Sequence, residues 1–190
     1  MNLGEQFRFD YETAKPIKEN VIQGETYRFT VLSERLIRME YNKDGIFEDR
    51  PTELVWYRNM PKVEYTLKQD KRFLEITTSY FRLTYTKNKP FEGSKFNNLS
   101  NLKVELLNSD KIWYYKHPEV RNFKAPGFSL DDASKMKLEK GLYSVDGFAS
   151  IDDSKHNLFD EHGSIIKREV ESVDTYLFMY LKDFALCLKD

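Results

Sequence analysis

The feature that most constrains this chain is a period-two alternation of apolar and polar residues. Ile37, Met39 and Tyr41 alternate with Arg38 and Glu40, and Val63, Tyr65 and Leu67 with Glu64 and Thr66. Leu74 and Ile76 sit between Phe73, Glu75 and Thr77, and Phe81, Leu83 and Tyr85 enclose Arg82 and Thr84. Leu102, Val104 and Leu106 do the same around Lys103 and Glu105. Successive side chains of an extended chain point to opposite faces, so each run builds a strand with one buried face. Val173 to Leu181 is almost continuously apolar, which predicts a strand covered on both faces. Asp44-Gly45, the Pro90-containing stretch Lys87 to Gly93, and Asn97 to Asn101 are turn signals between the runs. Asn157 to Ile166 reads as a hairpin with Asp160, Glu161, His162 and Gly163 at its tip. Helical periodicity is nearly absent, so the pattern predicts an all-β sandwich.

Composition narrows the classes of function. With 40% hydrophobic residues the chain carries enough apolar side chain for a core, and Phe and Tyr, numerous here, suit a pleated, half-buried surface. Thirty basic residues against 31 acidic ones leave no field for nucleic acid or an anionic membrane. His117, His156 and His162 lack metal-ligand spacing, and no glycine-rich phosphate loop occurs. The single cysteine, Cys187, sits between Leu186 and Leu188 and reads as a packed side chain. One cysteine, a charged N-terminus without an apolar leader, and no stretch near the roughly 18 apolar residues of a membrane span together predict a cytoplasmic protein.

Two stretches break the alternation. Lys116 to Lys140 contains Pro118, Pro126 and Gly127, and a loop of that length is expected to be functional or an interface element. At the other, Asp183 is placed to cap a helix beginning with Phe184 and Leu188, only about two turns before Asp190. The chain therefore reads as a piece of something longer.

Three segments resemble family 31 glycoside hydrolases. YRFTVLSERLIRMEYNKDGIFEDR (Tyr27 to Arg50), followed at once by PTELV, is similar to the strand and turn that open that family. GLYSVDGFASIDDS (Gly141 to Ser154) resembles the strand–turn–strand preceding its catalytic domain. TYLFMYLKDFALCLKD (Thr175 to Asp190) resembles the passage into the linker. The resemblance implies a galactose-mutarotase-like β-sandwich (a supersandwich) in front of a (β/α)₈ barrel. It further implies a retaining α-glycosidase of α-glucosidase or α-xylosidase type, which needs no cofactor or metal. On that basis residues 1–23 are a lead-in, 24–182 the sandwich, and 183–190 the truncated start of a helix or linker to an absent barrel.

Retaining glycoside hydrolysis needs two carboxyl groups about 5–5.5 Å apart. In family 31 both lie in the barrel, and no matching motif occurs here. Asp152 and Asp153 are successive residues on or beside a strand, so their side chains should point to opposite faces. No catalytic residue is therefore assigned, and the expected partners are a barrel domain of the same chain and an α-linked oligosaccharide at their interface. NFKAPGFSLD (Asn122 to Asp131) stands where relatives carry a loop that shapes the mouth of the active site. Asn122, Leu130 and Asp131 match that loop, but Ala125-Pro126 replaces its Gly-Thr pair. By this match Asp131 is the first candidate to hydrogen-bond a sugar hydroxyl and Asp146 the second, with Phe123 and Phe128 as an apolar wall. An exposed barrel-facing patch would also favour a homo-oligomer. The alternative is a stand-alone carbohydrate-binding module, motivated by the aromatic content; an aldose-mutarotase reading requires a His–Glu pair that no motif here places.

Overall fold

A computed structural model describes residues 10–96, 99–124 and 140–189. Among these, alternation has become two five-stranded antiparallel sheets. The first has the order β1 (Val21–Gln23), β2 (Tyr27–Val31), β3 (Leu36–Tyr41), β12 (Val173–Met179), β9 (Phe148–Asp152). The second follows the chain in simple meander order: β4 (Thr66–Gln69), β5 (Phe73–Thr77), β6 (Phe81–Thr86), β7 (Leu102–Leu106), β8 (Ile112–Tyr114). A small hairpin pairs β10 (Leu158–Phe159) with β11 (Ile165–Ile166), around the tip read from the sequence. The fold is an all-β sandwich.

The two sheets meet through the alternating apolar residues. Phe29, Ile37, Met39 and Leu177 of the first sheet face Ile76, Leu83, Tyr85 and Val104 of the second in one buried cluster. Aromatic rings fill its middle: Tyr85 meets Phe29 and Phe91 edge-on, with centroids 5.4 Å and 5.3 Å apart. Such pairs add about 0.5–1.5 kcal/mol beyond the area they bury. Tyr27, Phe29, Phe81, Tyr85, Phe91 and Phe148 thus serve as core. β4 is shorter than the alternation suggests. It begins at Thr66, and Val63 and Tyr65 pack against the core from the preceding segment.

The outer faces of the sheets differ sharply. That of the second sheet is open and carries exposed charge pairs such as Lys68–Glu75 (3.3 Å) and Arg82–Glu105 (3.5 Å). That of the first sheet is covered by the segment Ile46 to Met60, so Arg38 and Glu40, which alternation places on an open face, are buried. Arg38 is bidentate to Asp174 of the neighbouring strand (2.8 and 2.6 Å) and donates to the Glu48 carbonyl (2.8 Å). Arg28 pairs with Glu40 (2.6 Å) and Asp49 (2.8 Å). Arg58 donates to the Tyr176 hydroxyl (2.6 Å), and Thr52 to Asp153 (2.9 Å). Strands β3 and β12 are therefore covered on both sides, by hydrocarbon within and by a charged, hydrogen-bonded layer without. The predicted cap at the C-terminal end is present: the Asp183 carboxylate accepts from the Ala185 amide (3.1 Å) at the start of α1 (Phe184–Cys187), and Cys187 is buried.

Candidate functional site

Asp146 stands in a tight turn whose Gly147 N–H donates to the Ser144 carbonyl (3.2 Å), with Gly147 at φ +76°. A Cβ at Gly147 would collide with the backbone of Leu181, so the turn and the chain leaving β12 lock together. The Asp146 carboxylate accepts from Arg121 Nε (3.0 Å) and also contacts Arg121 Nη2, with Lys111 Nζ 3.8 Å away. The hydrogen bond from Arg121 holds its pKa below the usual aspartate range, so it is ionised and already partnered.

The Asp146 turn lies at one end of the sandwich, where Asn122 bridges to Ser144 and the Phe123 amide donates to the Tyr143 carbonyl (2.9 Å). Residues directly opposite across such a pairing share a face, so Phe123 lies beside Tyr143. Phe184 packs on both rings, at 6.1 Å and 5.5 Å, and on Tyr180 at 5.6 Å. The Tyr180 hydroxyl accepts from the Ser144 amide (2.6 Å), and burial pushes its pKa up to about 12. Phe123 and Phe184 remain 59% and 40% exposed, and Val145 and Leu188 are exposed as well. The result is an aromatic surface with the ion-paired Asp146 at its margin. Two of the four residues singled out from the sequence, Asp146 and Phe123, are brought to this end; Asp131 and Phe128 lie outside the described residues. Asn122, one of the matched loop residues, is buried, and its side chain ties Gly141 from both sides (2.8 and 2.9 Å).

A second feature was not read from the sequence. β8 and β9 are edge strands of opposite sheets, and the seam between them opens into a cleft of about 700 Å³. Trp113, Tyr115 and His117 line it from β8 and the turn beyond, and Ser150, Asp152 and Thr175 from β9 and β12. Leu54, Leu142 and Ile151 also border it. Beside the cleft Glu119 is fully buried at φ +47°, and its carboxylate accepts from the Ser150 amide (3.1 Å) and hydroxyl, 3.5 Å from Lys140. No periodic pattern announces Glu119, because its partners come from a distant edge strand. Burial lowers the His117 pKa, so the ring is neutral at pH 7. Asp152 and Asp153 diverge as successive strand residues do: Asp152 is exposed at the cleft and Asp153 is buried under Thr52.

No cluster of three or more His, Cys, Asp and Glu able to hold a metal ion occurs among the described residues. None of their helices is long and apolar enough to cross a membrane. Comparison of the sequence with protein-family models and with curated proteins finds no match. What the fold and its surface define is an all-β sandwich bearing an exposed aromatic end and an open seam.

Proposed function

We propose that the chain is the non-catalytic N-terminal sandwich of a retaining α-glycosidase of the family 31 type, an α-glucosidase or α-xylosidase. In this reading it supports a (β/α)₈ barrel and lends a loop to the substrate mouth. The observation that carries it is the aromatic end formed by Phe123, Tyr143 and Phe184. It joins two of the segments that resemble the family, Gly141 to Ser154 and Thr175 to Asp190, on one exposed face. Large apolar side chains clustered at a surface mark a contact site rather than ordinary solvated surface. Arg121 and Asp146 supply the polar rim usual around such contacts.

The third similar segment, Tyr27 to Arg50, fits a structural role. Arg28, Arg38 and Glu40 are spent on the buried charged layer. Asp146, held by Arg121, acts in this reading as a positioning residue at the interface, and Asp131 takes the sugar contact. A cytoplasmic location fits the single, buried cysteine.

Two measurements test the proposal. The coding DNA downstream of Asp190 should continue in frame into a barrel with two suitably placed aspartates; a frame without one refutes it. The purified chain should release no glucose or xylose from α-linked substrates, and turnover that survives removal of contaminants refutes it equally.

A further inference from the structure

The chain segments on either side of the small hairpin, one leaving β9 and one entering β12, line a hollow of about 520 Å³. Its charge is one-sided: Lys155 from the first segment and Lys167 and Arg168 from the second stand against one carboxylate, Glu171. Among the described residues neither lysine is in an ion pair. Arg168 differs from them in being buried, with its side chain 4% exposed. Among the described residues it makes a single hydrogen bond, from Nη2 to Asp174 at 3.3 Å, and its Nε is buried without a partner. The carboxylates that act on it are engaged elsewhere: Asp174 takes both arms of Arg38 (2.8 and 2.6 Å), and Glu48 takes Arg50 (2.8 Å). A buried donor without an acceptor is costly, and a charged one more so, which favours an acceptor supplied from outside the chain. The Ser172 hydroxyl and the Asn157 amide are further donors in the same lining, and neither side chain is hydrogen-bonded among the described residues.

From this we infer that the hollow binds a phosphate group, free or carried by a phosphomonoester, with Arg168, Lys155 and Lys167 as its cationic donors. An arginine fork matches phosphate oxygens and a lysine meets them as a point charge. A phosphate has three terminal oxygens, enough for one to face each cation, whereas a carboxylate has two oxygens and a single charge. Glu171 opposes the anion and keeps the affinity low, so the dissociation constant is about 1 mM, within what so small a ligand can reach. The inference goes beyond the supporting role proposed above and does not depend on it, because these segments lie away from the aromatic end on which that role rests.

The test is a titration of ¹⁵N-labelled protein at constant ionic strength with inorganic phosphate, glycerol 2-phosphate, acetate and chloride, each to about 50 mM, well above the expected constant. The buried Arg168 Nε–H is the reporter, together with the amides of Lys155 and Ser172. Saturable shifts at these signals are expected with phosphate and not with acetate or chloride; the same shifts with glycerol 2-phosphate place the group on an ester, and their absence there leaves free phosphate as the ligand. Lys155→Gln with Lys167→Gln, both at exposed positions, should raise the constant at least about tenfold while circular dichroism stays unchanged. Glu171→Gln should lower it about threefold, a gain that a merely structural role for the residue would not give. No saturable shift with either phosphate compound overturns the proposal, as do shifts that the double lysine variant leaves intact. Equal shifts with acetate also overturn it, in favour of a carboxylate ligand. None of these outcomes bears on the supporting role, which the downstream coding sequence tests separately.

Discussion

Replacing Asp174 with Asn perturbs the centre of the buried charged layer while nearly preserving its shape. Asp174 and Arg38 are both fully buried, and the carboxylate takes two short hydrogen bonds from Arg38 (2.8 and 2.6 Å) and a third contact from Arg168 (3.3 Å). The amide leaves Arg38 with Glu40, 3.1 Å away, as its remaining anion, and Glu40 already serves Arg28. Removing one member of a buried ion pair costs about 3–5 kcal/mol. For a chain of this size that lowers Tm by about 6–20 °C. Thermal and urea unfolding followed by circular dichroism read it, with an unchanged urea m value confirming that the denatured state is the same. The double variant Arg38→Met, Asp174→Leu removes both charges and should recover at least half of the loss, because hydrocarbon replaces a desolvated pair. The pH dependence adds a second check. Burial alone would raise the Asp174 pKa, but Arg38, Arg58 and Arg168 outweigh it and hold it below the usual value. A depressed carboxylate pKa stabilises the fold above the unfolded value of about 3.9, and that contribution is lost as pH falls through the folded value. The gap between wild type and Asp174→Asn should therefore close in acid. A cost within about 1 kcal/mol at pH 7, or a double variant no better than the single one, would refute a layer held by charge pairing.

Other outcomes follow from the same structure. Asp153→Asn should cost only about 1 kcal/mol in urea unfolding, because burial raises the Asp153 pKa and already disfavours its charged form. Glu119→Ala strips the edge strand β9 of the carboxylate on its Ser150 amide, and should destabilise by about 1–3 kcal/mol. The freed edge should also give concentration-dependent association in sedimentation velocity. His117 should titrate below the usual value of about 6.5 by NMR. Because its folded pKa is depressed, stability should fall as pH drops below about 6.5 toward that value, and His117→Asn should remove this part of the slope. Phe123→Ser should change stability by under about 1 kcal/mol, since that ring is 59% exposed, while weakening association with a barrel domain in a pull-down.

The strands were legible in the sequence because a pleated chain has a side-chain period of two, and a buried face needs nothing beyond apolar residues at that period. Ile37 and Met39, Leu83 and Tyr85, and Leu102 and Val104 are thus core by pattern alone, and Asp183 could be seen as a cap because its partner, the Ala185 amide, is two residues away. The other half of the same pattern misled. Arg38 and Glu40 carry the polar phase of β3, which by itself reads as a solvated face, yet they are buried under a segment that returns over the sheet. Alternation states which residues share a face and cannot state what will cover it. The cleft is decided in the same way: Trp113 and Asp152 lie on edge strands of different sheets, and Glu119 finds Ser150 across 31 residues of chain. Local spacing governs the strand, the turn and the cap, because their partners are near in sequence. Which charges are buried and which edges meet depends on contacts between distant segments, and those exist only once the sheets have packed.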